Sequence, residues 1–240
     1  YLCRGKVFAN AQTGNIVLLG QSIAEKNITM MFRYLCPLIA FVLGAYISQR
    51  MKSSNQKYFR FHWRQHVLLL EMLLMIIVGF LPEQLNILAN IILSFVCAMQ
   101  VVAFSKFHGN SYATTMCIGN LRSATTLLCQ YHITKDKNTQ RDSFHYFFII
   151  FVFLIGATLG TILGKQFHLH SIWFAILFLF IAFICASSYA VSSFSLCSRL
   201  LQPVRQNTVD KIISRHSNVH VNFLIATHLI QIVNNIYFFG

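Results

Sequence analysis

The chain has 240 residues, 56% of them apolar and only 10% charged, and its mean hydropathy is +0.59. Soluble domains carry about 25% charged residues, so this composition excludes an ordinary soluble fold. The formal charge of +13 comes with no nucleic-acid-binding motif or soluble basic domain, so it reports orientation and contact with anionic lipid rather than nucleic acid.

Apolar sequence begins almost at Tyr1, with no signal peptide and cleavage site, and a further helix is expected upstream. The first distinctive stretch is FANAQTGNIVLLG at residues 8–20, apolar enough to be buried yet carrying Asn10, Gln12, Thr13, Gly14 and Asn15 together. Long apolar runs follow at 37–48, 67–81, 87–104, 146–164 and 172–191. The longer ones approach the roughly 20 residues a helix needs to cross a bilayer. They are continuous rather than alternating, which argues against a membrane β-barrel. The fold class is therefore all-α, a polytopic helical membrane protein.

The opening stretch recurs. GKVFANAQTGNIV from Gly5 matches GNSYATTMCIGNLR from Gly109: Gly5 with Gly109, Phe8-Ala9 with Tyr112-Ala113, Gly14-Asn15 with Gly119-Asn120, with one residue inserted in the second copy. Two apolar spans follow each copy. This predicts two repeats, 1–82 and 86–198, with a period near 105 residues.

Lysine and arginine gather at 50–64, 135–141 and 199–215, whereas the connections near Lys26, Glu83 and Lys165 are poor in them. The positive-inside rule wants all three rich segments on the cytoplasmic side. That holds if each Gly-Asn segment is an interrupted, re-entrant or half-length helix rather than a full crossing. The two repeats then have about three crossings each and opposite topology, a recurring design of secondary transporters. Residues 199–240 form a basic tail with a short apolar end. It reads as an interfacial helix or a loosely structured extension.

A glycine inside a helix costs about 1 kcal/mol against alanine, and asparagine favours caps and breaks. A broken helix exposes amide donors suited to an anion or carboxylate. The alternative is close packing, with glycine as the small contact and asparagine as an interhelical hydrogen-bonder. The candidate solute site is Asn10, Gln12, Thr13, Gly14 and Asn15 from one repeat, with Thr115, Gly119, Asn120 and Arg122 from the other.

Arg122 at membrane depth costs about 2.5–3.5 kcal/mol unless paired or hydrated; snorkelling to the interface is its alternative. Glu71, the one acid within a strongly apolar run, is a candidate partner for Arg122, Arg4 or Lys6, a proton carrier, or a simple solvated carboxylate. Gln100 and Asn90 are candidate helix–helix contacts, and Gln100 stands beside Glu71 as a possible coupling or charge partner of the site. Lys106, His108, Arg4 and Lys6 flank the polar segments as headgroup anchors or anion attractors. Seven scattered cysteines without a CxxC pair read as small buried hydrophobes. No HExxH, GxSxG or P-loop occurs, and His168–His170 is a poor metal motif alone. Neither an enzyme nor a cofactor or metal is expected.

The runs VFANAQTGNIVLLG and MQVVAFSKFHGNSYATTMCIGNLRSATTLL resemble the YoaK family of bacterial inner-membrane proteins. The likeness covers residues 1 to about 198; the tail from Leu201 departs from the pattern. It implies about six spans in a bacterial cytoplasmic membrane, with no established substrate, in a family described as candidate small-molecule transporters. An acidic residue of the family's first helix falls before Tyr1 and is not carried over.

The resulting expectation is a small-solute secondary transporter or facilitator in the lipid bilayer, with a slight preference for an anionic or carboxylated solute. The alternative is a membrane scaffold or partner subunit without transport. The substrate, the coupling ion and the oligomeric state are not legible in the sequence.

Overall fold

In the computed structural model, residues 7–54, 63–104 and 117–184 are described, with the backbone of 106–107 and 110–111. The helices are α1 (Gln12–Ala24), α2 (Ile28–Ser54), α3 (Trp63–Phe80), α4 (Asn86–Ala103), α5 (Cys117–Thr134) and α6 (Lys137–Phe167), followed by α7 over 171–184. Short 3-10 turns at Glu83–Leu85 and His168–His170 join α3 to α4 and α6 to α7. A two-residue antiparallel pair, Lys106–Phe107 with Asn110–Ser111, precedes α5. Helices dominate because each satisfies its backbone hydrogen bonds internally, which lipid demands.

Four stretches are long and apolar enough to cross a membrane: Ile28–Ser53, Trp63–Phe80, Glu83–Ala103 and Lys137–Ile184. The last has 48 residues. At 1.5 Å per residue it would run about 70 Å, more than twice a hydrocarbon core of about 30 Å. Its break at His168, where φ is 46°, divides it into α6 and α7. The apolar runs at 37–48 and 146–164 understate α2 and α6, whose polar ends continue the helix by several turns. Pro37 lies inside α2 rather than at its start.

Two hairpins share one turn design. Lys26 lies in the α1–α2 connection with φ 54°, and Lys135 lies in the α5–α6 connection with φ 57°. Each is followed by a capping residue. Asn27 Oδ1 accepts from Met30 N at 3.2 Å, and the Asp136 carboxylate accepts from Asn138 N at 3.1 Å and Thr139 N at 3.3 Å. The Asn138 N–H, with help from the Thr139 side chain, holds the Asp136 carboxyl below the ordinary range.

Helix directions follow from contacts. A Cβ on Gly44 of α2 would collide with the Phe95 carbonyl of α4 and lie 3.1 Å from Ala98 Cβ. One turn on, Ser48 Oγ donates to Met99 O at 3.1 Å. Four residues forward on α2 match four forward on α4, so these helices run parallel at close approach. By contrast, α3 runs antiparallel to α4: Glu71 meets Gln100 and Arg64 Nε donates to Ala103 O at 3.0 Å, capping the end of α4. The Arg64 guanidinium lies 5.7 Å from the Trp63 ring and 6.0 Å from the Phe104 ring. Basic and aromatic groups thus gather at one end of the bundle, as at a membrane interface.

The main core joins α3, α4 and α7 through Leu68, Met75, Leu93, Met99, Ala175 and Leu179. A Cβ on Gly79 would lie 3.2 Å from the Trp173 ring, where α3 meets α7. A smaller cluster of Ala124, Tyr146 and Ile149 joins α5 to α6, beside a bond from Ser143 Oγ to Ala124 O at 2.8 Å. Large side chains such as Val42, Tyr46, Phe151 and Leu154 point outward. An apolar exterior this extensive suits lipid, not water.

Candidate functional site

Residues 7–11 precede α1 and are not helical, yet Val7, Ala9 and Asn10 are buried, and Ala9 joins the same core cluster as Met75, Cys97 and Leu179. Irregular backbone at such depth needs its polar groups satisfied from within. Asn15 does this. Its Oδ1 accepts from Phe8 N at 3.1 Å, and its Nδ2 donates to Phe8 O at 2.6 Å and to Gln12 Oε1 at 2.9 Å. Gln12 Nε2 in turn donates to Ala9 O at 2.8 Å. Ala11 offers no side-chain cap to α1, so Asn15, inside the helix, performs the capping of the preceding loop.

Gly14 is required by the same fold-back. The Phe8 ring lies 2.8 Å from where a Cβ would stand. Thr13 points outward. Asn10 is buried, and its Nδ2 has no hydrogen-bond partner. At 13 residues α1 is about 20 Å long, short of a hydrocarbon core of about 30 Å.

The second Gly-Asn pair occupies the same helical register. Gly14 and Asn15 are the third and fourth residues of α1; Gly119 and Asn120 are the third and fourth of α5. Asn120 is buried like Asn15. Among the described residues, however, nothing lies within 4 Å of a would-be Cβ on Gly119, and Arg122 is exposed. Thr115 lies outside the described residues, as do Arg4, Lys6, His108 and the side chain of Lys106. With 18 residues, α5 is longer than a half-length helix, one of the three forms expected of the repeat beside an interrupted or re-entrant one. Its polar composition, not its length, keeps it out of the candidate spans.

A second group of polar side chains lies between α3 and α4. Gln100 Nε2 donates to Glu71 Oε1, and both residues are buried. Neither a solvated carboxylate nor a pair with Arg122 describes Glu71: its hydrogen-bond partner is the other residue named as a possible charge partner, Gln100. On α4, Asn90, Ser94, Cys97 and Gln100 are all buried, and their spacing of 4, 3 and 3 puts them on one helical face. The Cys97 thiol lies near Glu71. Ser94 and Cys97 were missed as members of this seam; their spacing from Asn90 and Gln100 was the available signal.

Three atoms of the seam, Glu71 Oε2, Gln100 Oε1 and Ser94 Oγ, lack a hydrogen-bond partner, as does Asn10 Nδ2. Leaving a buried polar group unpaired costs about 1–3 kcal/mol. These atoms therefore mark where a proton, a water or a polar solute completes the structure. The arrangement offers neutral donors and acceptors and one acid, a set suited to binding.

The chain has a relative in the UPF0700 transmembrane protein YoaK of Bacillus subtilis (strain 168), 27% identical over 192 residues covering 75% of this chain and 83% of that protein. No solved structure matches it. The family described as "Protein of unknown function (DUF1275)" matches residues 1–185. This helical transmembrane chain belongs to the DUF1275 family.

Proposed function

We propose that the protein is a secondary transporter or facilitator of a small solute in the bacterial cytoplasmic membrane. The observation that carries this reading is the buried non-helical segment before α1, where the Asn10 amide nitrogen is unpaired beside Ala9, a member of the core shared by α3, α4 and α7. Broken helices against a polar interior are how transporters replace a solute's hydration. The site combines Asn10 with the α4 seam and the N-termini of α1 and α5. Their positive dipole ends favour an anionic or carboxylated solute.

The two Gly-Asn units relate the halves of the bundle as inverted repeats, and rocking of one half against the other gives alternating access. The basic segments at 50–64, 135–141 and 199–215 face the cytoplasm in this arrangement. No catalytic step and no cofactor enters it.

A thermal-shift screen of the full chain in detergent against metabolites and ions tests the proposal, with Asn10→Ala alongside. A bound solute at 100 times its dissociation constant stabilises the native state by about 2.7 kcal/mol. The expected result is a stabilising solute whose effect disappears in a normally melting Asn10→Ala variant.

One observation favours a second reading, a membrane scaffold without transport. Both N–H donors and the oxygen of the Asn15 amide are engaged by Phe8 and Gln12, as a packing device requires. Absence of any stabilising solute over a broad panel, with only Asn15→Ala melting early, selects that reading.

A further inference from the structure

We infer that Glu71 and Gln100 form a proton-binding site, a neutral acid–amide pair that holds α3 to α4. The inference starts from which atoms are paired and which are not. Gln100 Nε2 donates to Glu71 Oε1, while the other oxygen of each group, Glu71 Oε2 and Gln100 Oε1, is buried without a partner. Two acceptor oxygens left over on a bonded acid and amide are the pattern that one hydrogen resolves. A proton on Glu71 Oε2 donates to Gln100 Oε1, closing a ring of two hydrogen bonds and leaving no orphan. Without that proton, a carboxylate would stand buried with one amide donor, a costly state at membrane depth.

Among the described residues the surroundings supply no countercharge. On α4 the neighbouring titratable group is the Cys97 thiol, and its face continues as Ser94 and Asn90. On α3, His66 lies five residues before Glu71, and Arg64 is engaged at Ala103 O and the rings of Trp63 and Phe104. The core residues of α7 are apolar, and α2 carries its nearer charges, Arg50 and Lys52, at its C-terminal end. Among the described residues no salt bridge involves Glu71.

Opening of the α3–α4 seam admits water. The Oε2–H bond of Glu71 then breaks, its proton passes to water, and the hydrated carboxylate remains; reclosure takes a proton back. That this proton is the coupling ion of transport rests on the function proposed above. The binding of the proton itself does not.

The test uses the full chain in liposomes and needs no solute. Infrared difference spectra of protein with 13C-labelled glutamate are recorded at neutral pH in H2O and D2O. The expected result is one protonated-carboxyl band that shifts with the label and with D2O, is lost in Glu71→Gln and survives in Glu83→Gln. Because the wild-type label alone reveals a protonated glutamic acid, the test does not depend on a variant folding. Absence of a labelled band, or its survival in a folded Glu71→Gln protein, overturns the inference.

N-ethylmaleimide labelling supplies the second readout. The rate at buried Cys97 in the wild type, divided by the rate at the same cysteine in Glu71→Gln at each pH so that thiol ionisation largely cancels, rises several-fold from acid to alkaline pH. Glu71→Gln mimics the neutral acid and has no proton to lose. A ratio that stays flat with pH overturns the hold of the pair on the α3–α4 seam. Both readouts stand apart from the solute screen, so failure of the transport reading leaves them decisive.

Discussion

The two Gly-Asn helix starts use the same residues in the same register for different ends. In α1 the glycine makes room for the Phe8 ring, and the asparagine ties down a broken backbone. In α5 no described residue lies within 4 Å of the glycine's would-be Cβ, and the helix extends five residues further. Likeness of sequence thus preserved the helix start, while among the described residues the close contact on the glycine occurs in the first copy alone. The first copy is a tight joint. In the second, no described side chain covers the glycine at the corresponding position.

The contrast can be broken most sharply at Asn15. Its replacement by Ala removes both bonds that Asn15 makes to the Phe8 backbone, and thermal melts in detergent are expected to show a loss of about 2–3 kcal/mol. The glycines sharpen it with opposite signs. Gly14→Ala forces the Phe8 ring aside and loses about 1 kcal/mol net, whereas Gly119→Ala removes only backbone freedom and gains up to about 1 kcal/mol by helix propensity. Equal effects at both positions in the same melts would erase the distinction drawn here.

The smallest effect separates the two hairpin caps. The folded Asp136 carboxyl is held below its ordinary range. Its capping contribution is therefore complete above the unfolded value of about 3.9 and is lost as pH falls through the lower folded value. Asn27 does not titrate. Amide exchange at Thr139 should quicken in acid relative to Met30, and parallel behaviour at the two sites would remove the difference.

Much of this architecture is legible in the sequence. The apolar runs located α2, α3, α4, α6 and α7, and the matched motifs placed α1 and α5 in common register. What escaped is what depends on three-dimensional closure. Asn15 was identified as unusual, but its bonds to Phe8 arise only once the chain turns back on itself seven residues earlier. Glu71 and Gln100 stand 29 residues apart, and their meeting requires α3 and α4 to pack at one relative rotation. Ser94 and Cys97 are ordinary in an apolar run; only the helical period gathers them with Asn90 and Gln100. The lengths of α2 and α6 escaped because capped polar turns extend helices beyond their apolar centres.

The fastening of Phe8 by Asn15 also bears on biosynthesis. Its bonds span only seven residues and involve no other helix, so it can form as soon as this segment emerges and before the bundle assembles. Loop closure over so short a distance is a fast local event. The irregular segment then reaches the bilayer with the Phe8 amide and carbonyl already screened from hydrocarbon. The penalty for partitioning a non-helical segment is thereby reduced before its neighbours arrive.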